Sequence, residues 1–229
     1  MTEKNQNAMP SSAPHGADYF SVFELPRKLA LDTKALERAF YRKSREVHPD
    51  RFARASAQQQ QWNLEQTSLL NDAYRALKDP IARTEYLLRL EGVTLANEAY
   101  TNAGKDAPIS DAQGKKNVPP ELLAEVFELN MQLEEMRMNA QVGEDDPQLR
   151  ADLEGARTQF EQQFAAIGQR LQGEWTSWDA ALDAGDAPAK IKSTEAMAAL
   201  LDKRRYVRNL LRDVREALGA ERLITTQTS

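Results

Sequence analysis

His48, Pro49 and Asp50 are three adjacent residues whose types suit the capture of another molecule. Proline fixes its own φ and pushes the residue before it out of the α region, so a helix arriving at Val47 must end there. An imidazole and a carboxylate are then presented on a stiff loop that has little conformational entropy left to lose on docking. Asp50 offers an acceptor to an arginine of a partner, and charge-assisted bonds of that kind are among the strong ones. Catalysis or metal binding fits this loop poorly. The chain has no cysteine and only two histidines, His15 and His48, and no orienting group accompanies His48. Thiolate zinc sites, disulfides and Cys-ligated clusters are excluded. No Gly-rich phosphate loop, nucleophile–base pair or metal-ligand cluster is readable, so no catalytic residue, no metal and no cofactor is expected, and the chain reads as no enzyme.

A second pattern lies between Glu121 and Met136. Leu122, Val126, Leu129, Leu133 and Met136 follow a 4-3-4-3 spacing that predicts a core seam. Leu123, Phe127 and Met131 form another apolar stripe at i, i+4 and i+8, turned by about 100° from the first. Five acids and no base lie from Glu121 to Glu135, and Glu128 and Glu135 border the second stripe. An apolar stripe rimmed by acids suits protein docking. Such a stripe is as readily buried against a neighbouring domain, and both readings stand at this point.

The elements that must position these residues are helical. The chain has 229 residues, 41% hydrophobic and 28% charged, with only 10 Gly and 10 Pro. Ala, Leu, Glu, Gln and Arg dominate, and they lose little rotamer freedom on a helix surface. Asp18 caps a short helix, YFSVFEL, closed by Pro26. Asp32 caps the next, of about four turns, with Ala35, Leu36, Ala39, Phe40 and Val47 on one face and Lys34, Arg38, Arg42 and Arg45 on the other. A third helix runs from about Ala57 to Leu77, and Asp79-Pro80 starts a fourth that Gly92 stops. Three longer helices follow, at roughly 120–140, from Pro147 to about Leu182, and from Asp186 or Pro188 to about Leu218. Ile191, Met197, Leu201, Val207 and Leu211 form part of the last one's apolar face, and Trp175 and Trp178 read as core. Three amphipathic helices with short joints pack as an antiparallel bundle.

Charge divides the chain in two. Residues 17–92 carry 13 Lys/Arg against 11 Asp/Glu, a net of +2, and residues 93–229 carry 16 against 23, a net of −7. Two surfaces for two kinds of partner are implied. Residues 1–16 read as a disordered tail, 93–118 as a linker or loop, 119–220 as the bundle and 221–229 as a second tail. No secretory signal, transit peptide or bilayer-spanning run is readable, and a cytoplasmic protein without membrane contact is expected. Overall acidity, few aromatics and no arginine-rich arm argue against a nucleic-acid partner.

A basic amphipathic helix ending in His-Pro-Asp, between DYFSVFELP and SLLNDAYRALKDPIARTEYLL, resembles the J-domain over about residues 18–91. The Gly/Phe-rich stretch and cysteine-rich modules of DnaJ-type proteins are absent. RTEYLLRLEGV followed by PPELLAEVFELNMQLEEM is instead similar to the HscB family, a likeness that covers residues 18–218. The resemblance implies an all-α fold in which an N-terminal J-domain helical hairpin, residues 17–92, joins a C-terminal three-helix bundle. It implies that Tyr41, Arg42, Lys43, Arg45, His48, Pro49 and Asp50 contact an HscA/DnaK-type chaperone and stimulate its ATP hydrolysis. It further implies that Leu123, Phe127, Glu128, Glu135 and Leu200 hold an IscU-type scaffold for iron–sulfur cluster maturation. Ala124 departs from the family pattern where a larger apolar residue is usual, and Met131 where an acid is common. A J-domain serving another client, and a helical adaptor with no chaperone role, are the alternatives.

Overall fold

The computed structural model describes residues 18–48, 52, 55–93, 95 and 119–227, with side chains as far as Gly219 in the last helix. Every regular element among the described residues is helical. The chain divides into two compact units between Leu90 and Glu91.

In the first unit, α1 (Tyr19–Val22) is a single turn whose Phe20 N–H donates to the Asp18 carboxylate at 2.9 Å. It ends before the Pro26 boundary that the sequence suggests. Glu24 takes a left-handed φ of 57°, and the Leu25 N–H folds back to the Phe20 carbonyl at 2.9 Å. Helix α2 (Thr33–Glu46) starts where Asp32 accepts from Lys34 N–H at 2.9 Å and Ala35 N–H at 3.1 Å. Helix α3 (Ala57–Lys78) opens on a capping box of Ser56 and Gln59. Helix α4 (Pro80–Leu90) has proline at its first position, Asp79 accepting from Ala82 N–H at 2.7 Å, and Gly92 beyond it at φ 78°.

Helix α3 is central to this unit and packs on α1, α2 and α4. Phe20, Leu36, Ala73, Leu77, Leu87 and Leu88 are its most buried apolar residues, with Phe23 and Leu29 contributed by the chain around α1. Two ring stacks reinforce the packing, Phe40 on Tyr74 at 4.2 Å and Tyr19 on Tyr86 at 4.4 Å. The Tyr19 N–H also donates to the Tyr86 hydroxyl at 2.8 Å. Arg83 is buried because its guanidinium donates to the Leu77 carbonyl at 2.5 Å, which satisfies an orphan acceptor at the end of α3.

The second unit is a three-helix bundle. After a 3₁₀ turn, Pro120–Leu122, come α5 (Leu123–Val142), α6 (Pro147–Ala184) and α7 (Ala187–Gln227). Asp146 caps α6 through Gln148 and Leu149 N–H groups, and Asp186 caps α7 through Ala189 N–H at 3.0 Å. Only Gly185, at φ 67°, and Asp186 separate α6 from α7, so the two run antiparallel along their length. The shorter α5 contacts both. Its start is pinned by Gln163 donating to Glu125 at 2.8 Å and by Lys203 to Glu121 at 3.0 Å, and Arg215 ties α7 to Glu161 of α6 at 2.9 Å.

The seam expected from the 4-3-4-3 spacing is the buried face of α5: Leu122, Val126, Leu129, Leu133 and Met136. Leu153, Phe160, Ile167, Leu171 and Trp178 answer from α6, and Met197, Leu201, Val207, Leu211 and Val214 from α7. Ile191 departs from its expected core place and is 60% exposed. The last helix also runs past Leu218 to Gln227, because Gly219 is followed by helix-forming residues and no proline. The expected tail from residue 221 is helical as far as that point. Glu91 pairs with Lys190 at 2.8 Å and Leu95 is buried, so the first residues after α4 belong with the second unit, two residues earlier than the Gly92 boundary. The remainder of the expected linker and the N-terminal tail lie outside the described residues.

Candidate functional site

Two surfaces carry the residues singled out by the sequence, one on each unit. On the first, Leu36 anchors the apolar face of α2 against α3 and turns Lys34, Arg38, Tyr41, Arg42 and Arg45 outward. Tyr41 is exposed and edge-on to Phe40 at 5.6 Å. Arg38 makes a long contact with Asp32, at 3.8 Å. Lys43 and Arg45 lie in the last turn, where cations complement the helix dipole.

Val47 closes α2, its N–H bonded to the Lys43 carbonyl at 3.2 Å, and His48 follows it, exposed. Pro49 and Asp50 lie outside the described residues. The structure therefore brings Tyr41, Arg42, Arg45 and His48 to one exposed end of α2.

Two residues that the sequence reading did not single out fix this end. Thr67, one helix away on α3, shares its one hydroxyl hydrogen between the nearer Asn63 carbonyl at 2.8 Å and the Val47 carbonyl at 3.2 Å. A carbonyl at the end of α2 is thereby given a partner, and the residue before His48 is tied to the central helix. Its sequence trace is faint: a threonine inside a helical run, with nothing local to show that α2 ends beside it. Glu24 is the other. Its carboxylate holds the Lys43 ammonium at 2.9 Å, and Lys43 is only part-exposed as a result. The hydrogen bond from Lys43 and then its charge, with a smaller contribution from Arg42, hold the Glu24 carboxyl below its ordinary value. Lys43 is thus engaged within the unit, unlike the outward-facing Arg42.

On the second unit, the stripe of Leu123, Phe127 and Met131 is open to solvent, with exposures of 53%, 69% and 59%. Glu128 and Glu135 are exposed beside it and make no ion pair among the described residues. Leu200 is placed differently. At 6% exposure it belongs to the bundle core and does not share the open stripe. Helix α7 packs on both α5 and α6, so its buried face must be wide enough to include Leu200 and Leu201 together.

No group of three or more potential metal-ligating side chains occurs among the described residues, and none of the described helices is long and apolar enough to cross a membrane.

No family model matches the chain. Solved structures do. The chaperone HscB from Vibrio cholerae is 26% identical with a TM-score of 0.53, the match covering 87% of this chain and 96% of that one. Human co-chaperone protein HscB, at 22% identity and a TM-score of 0.51, matches over 88% of this chain and 82% of its own, and that likeness speaks to the fold. An all-α chain with a J-domain-like helical unit followed by a helical bundle is the architecture of a J-type co-chaperone. The match to the Vibrio cholerae protein, with the HPD-bearing sequence, supports an HscB-family co-chaperone.

Proposed function

We propose that the chain stimulates ATP hydrolysis by an HscA/DnaK-type chaperone through the His48–Asp50 loop and the basic face of α2, and delivers to it an IscU-type scaffold held on α5. Iron–sulfur cluster maturation is the process served, in the cytoplasm, and the chain itself carries out no chemical step. One observation carries the proposal: two exposed surfaces of opposite character stand on separate units. The first is basic and ends in an exposed His48. The second is apolar and edged by Glu128 and Glu135, which make no ion pair among the described residues.

The physical division of labour follows. Outward-facing Arg42 and Arg45 steer an acidic chaperone surface towards the loop, and Thr67 limits the freedom of the backbone just before it. On α5, Leu123 and Phe127 supply the apolar burial that holds a scaffold, and Glu128 and Glu135 reward basic residues beside it.

The test is steady-state ATP turnover by a purified HscA-type chaperone, with and without an IscU-type scaffold, using wild type and His48→Gln. Wild type should raise turnover, the scaffold should raise it further, and the substitution should abolish both effects. Stimulation without scaffold synergy would remove the client assignment and keep the chaperone contact. No stimulation in either condition would sink the proposal.

A further inference from the structure

The open apolar face of α5 continues past Met131. Met138 and Val142 are 55% and 71% exposed. The steps from Leu123 through Phe127, Met131 and Met138 to Val142 are four, four, seven and four residues. At 3.6 residues per turn those steps keep all five side chains within a strip roughly 100° wide. The core does not require the last two, since Leu133 and Met136 already supply the buried side of this part of the helix. Five large apolar residues, each more than half exposed on one helix, are more than the scattered single exposures of an ordinary surface.

The charges along the strip are uneven. Glu134 and Glu135 lie between Met131 and Met138. Arg137 is the only base in α5, and it is engaged by Glu134 at 3.3 Å. Glu135 and Glu128 are left without an ion pair among the described residues, on the edge of the strip. From Glu121 to Val142 there are five acids and one base. Two copies of this face would therefore repel, and a basic partner would be drawn to it.

We propose that the whole length of α5 is a single docking strip, and that the partner seated on Leu123 and Phe127 also covers Met138 and Val142, with a lysine or arginine opposite Glu135. The proposal rests on the docking role assigned to α5 above and extends it. Such a partner presents two apolar patches about 16 Å apart, the rise over the eleven residues from Phe127 to Met138, with a cation between them.

Calorimetric titration with a purified IscU-type scaffold tests it, using wild type, Phe127→Gln and the double variant Met138→Gln/Val142→Gln. Glutamine is a good helix former, and these positions are exposed, so circular dichroism and thermal midpoint should be unchanged. The double variant should bind roughly 5- to 20-fold more weakly, with a smaller negative heat-capacity change, because apolar contact is lost. Phe127→Gln should weaken binding at least as much. Unchanged affinity in the double variant, with Phe127→Gln impaired, would overturn the extension and leave the docking role of α5 intact. Wild type that fails to bind the scaffold would overturn both. A self-associating wild type that the double variant renders monomeric would also overturn it, by making a second copy the occupant.

Discussion

The basic end of α2 and the apolar strip of α5 are both exposed helix faces, yet they are built to opposite rules. At α2 the apolar side chains are spent on the core and solvent sees cations, an exposed tyrosine and His48. At α5 the core takes Leu122, Val126, Leu129, Leu133 and Met136, and large apolar groups are still left facing water. The first surface can attract a partner from a distance but has little apolar area to hold it. The second has the area and only a modest edge charge. Fast encounter belongs to one and retention to the other, as the proposed role of bringing a scaffold to a chaperone would require.

The sharpest way to break that comparison is to cross the two surfaces with the two activities. His48→Gln should abolish stimulation of chaperone ATPase while leaving scaffold affinity within about twofold of wild type. Phe127→Ser should do the reverse, weakening scaffold binding by roughly 30-fold or more, about 2 kcal/mol, and keeping scaffold-independent stimulation. Titration calorimetry and ATP turnover on the same preparations give both readings. Loss of both activities in either variant would show that the surfaces are not separable.

Thr67 offers a finer cut. Thr67→Val keeps the shape and removes the hydroxyl that reaches the Val47 carbonyl. Loss of one such bond is worth about 1 kcal/mol. ATPase stimulation should fall roughly 3- to 10-fold, and Thr67→Ser should restore most of it. Scaffold affinity should not move. If Thr67→Val stimulates as wild type does, the anchor has no bearing on the loop.

These cases mark where the sequence is legible. The 4-3-4-3 seam and the second stripe of α5 need only helical periodicity, and the structure shows one buried and the other open. The end of α2 was equally readable, since Pro49 acts on its immediate neighbour. Thr67 and Glu24 were not, because each acts across a tertiary contact: Thr67 reaches Val47 twenty residues away, and Glu24 reaches Lys43 nineteen away. The early end of α1 depends on a left-handed Glu24, which glutamate does not advertise. Ile191 left its expected core place for a related reason, and Leu200, which the family resemblance alone assigns to the scaffold surface, lies in the core. Periodicity fixes which residues share a face, but the width and direction of the buried face of α7 depend on two neighbouring helices at once.

Salt distinguishes the surfaces without any mutation. From about 0.1 M to about 1 M salt the Debye length falls from about 10 Å to about 3 Å. The association rate with the chaperone should drop by roughly tenfold or more over that range, and scaffold affinity by only a few-fold, since apolar burial is not screened. Stopped-flow mixing and titration at matched salt give the comparison. Equal salt sensitivity would mean that charge carries the α5 contact too.

The smallest expected effect is at Glu24, and it bears on how much of the basic face is available. Lys43 lowers the Glu24 carboxyl from its ordinary 4.5, so the link is fully present above that value and is lost as pH falls through the lowered one. At neutral pH the pair is therefore intact and cancels one positive charge beside Arg42. Glu24→Gln removes the acid and leaves Lys43 uncompensated. One additional cation on a steering surface should speed association with an acidic chaperone face by roughly 1.5- to 3-fold at low salt, and the gain should vanish at high salt. A slower association would reverse the interpretation. Glu24 would then be holding Lys43 in the orientation that the chaperone needs, and the charge it cancels would matter less than the position it sets.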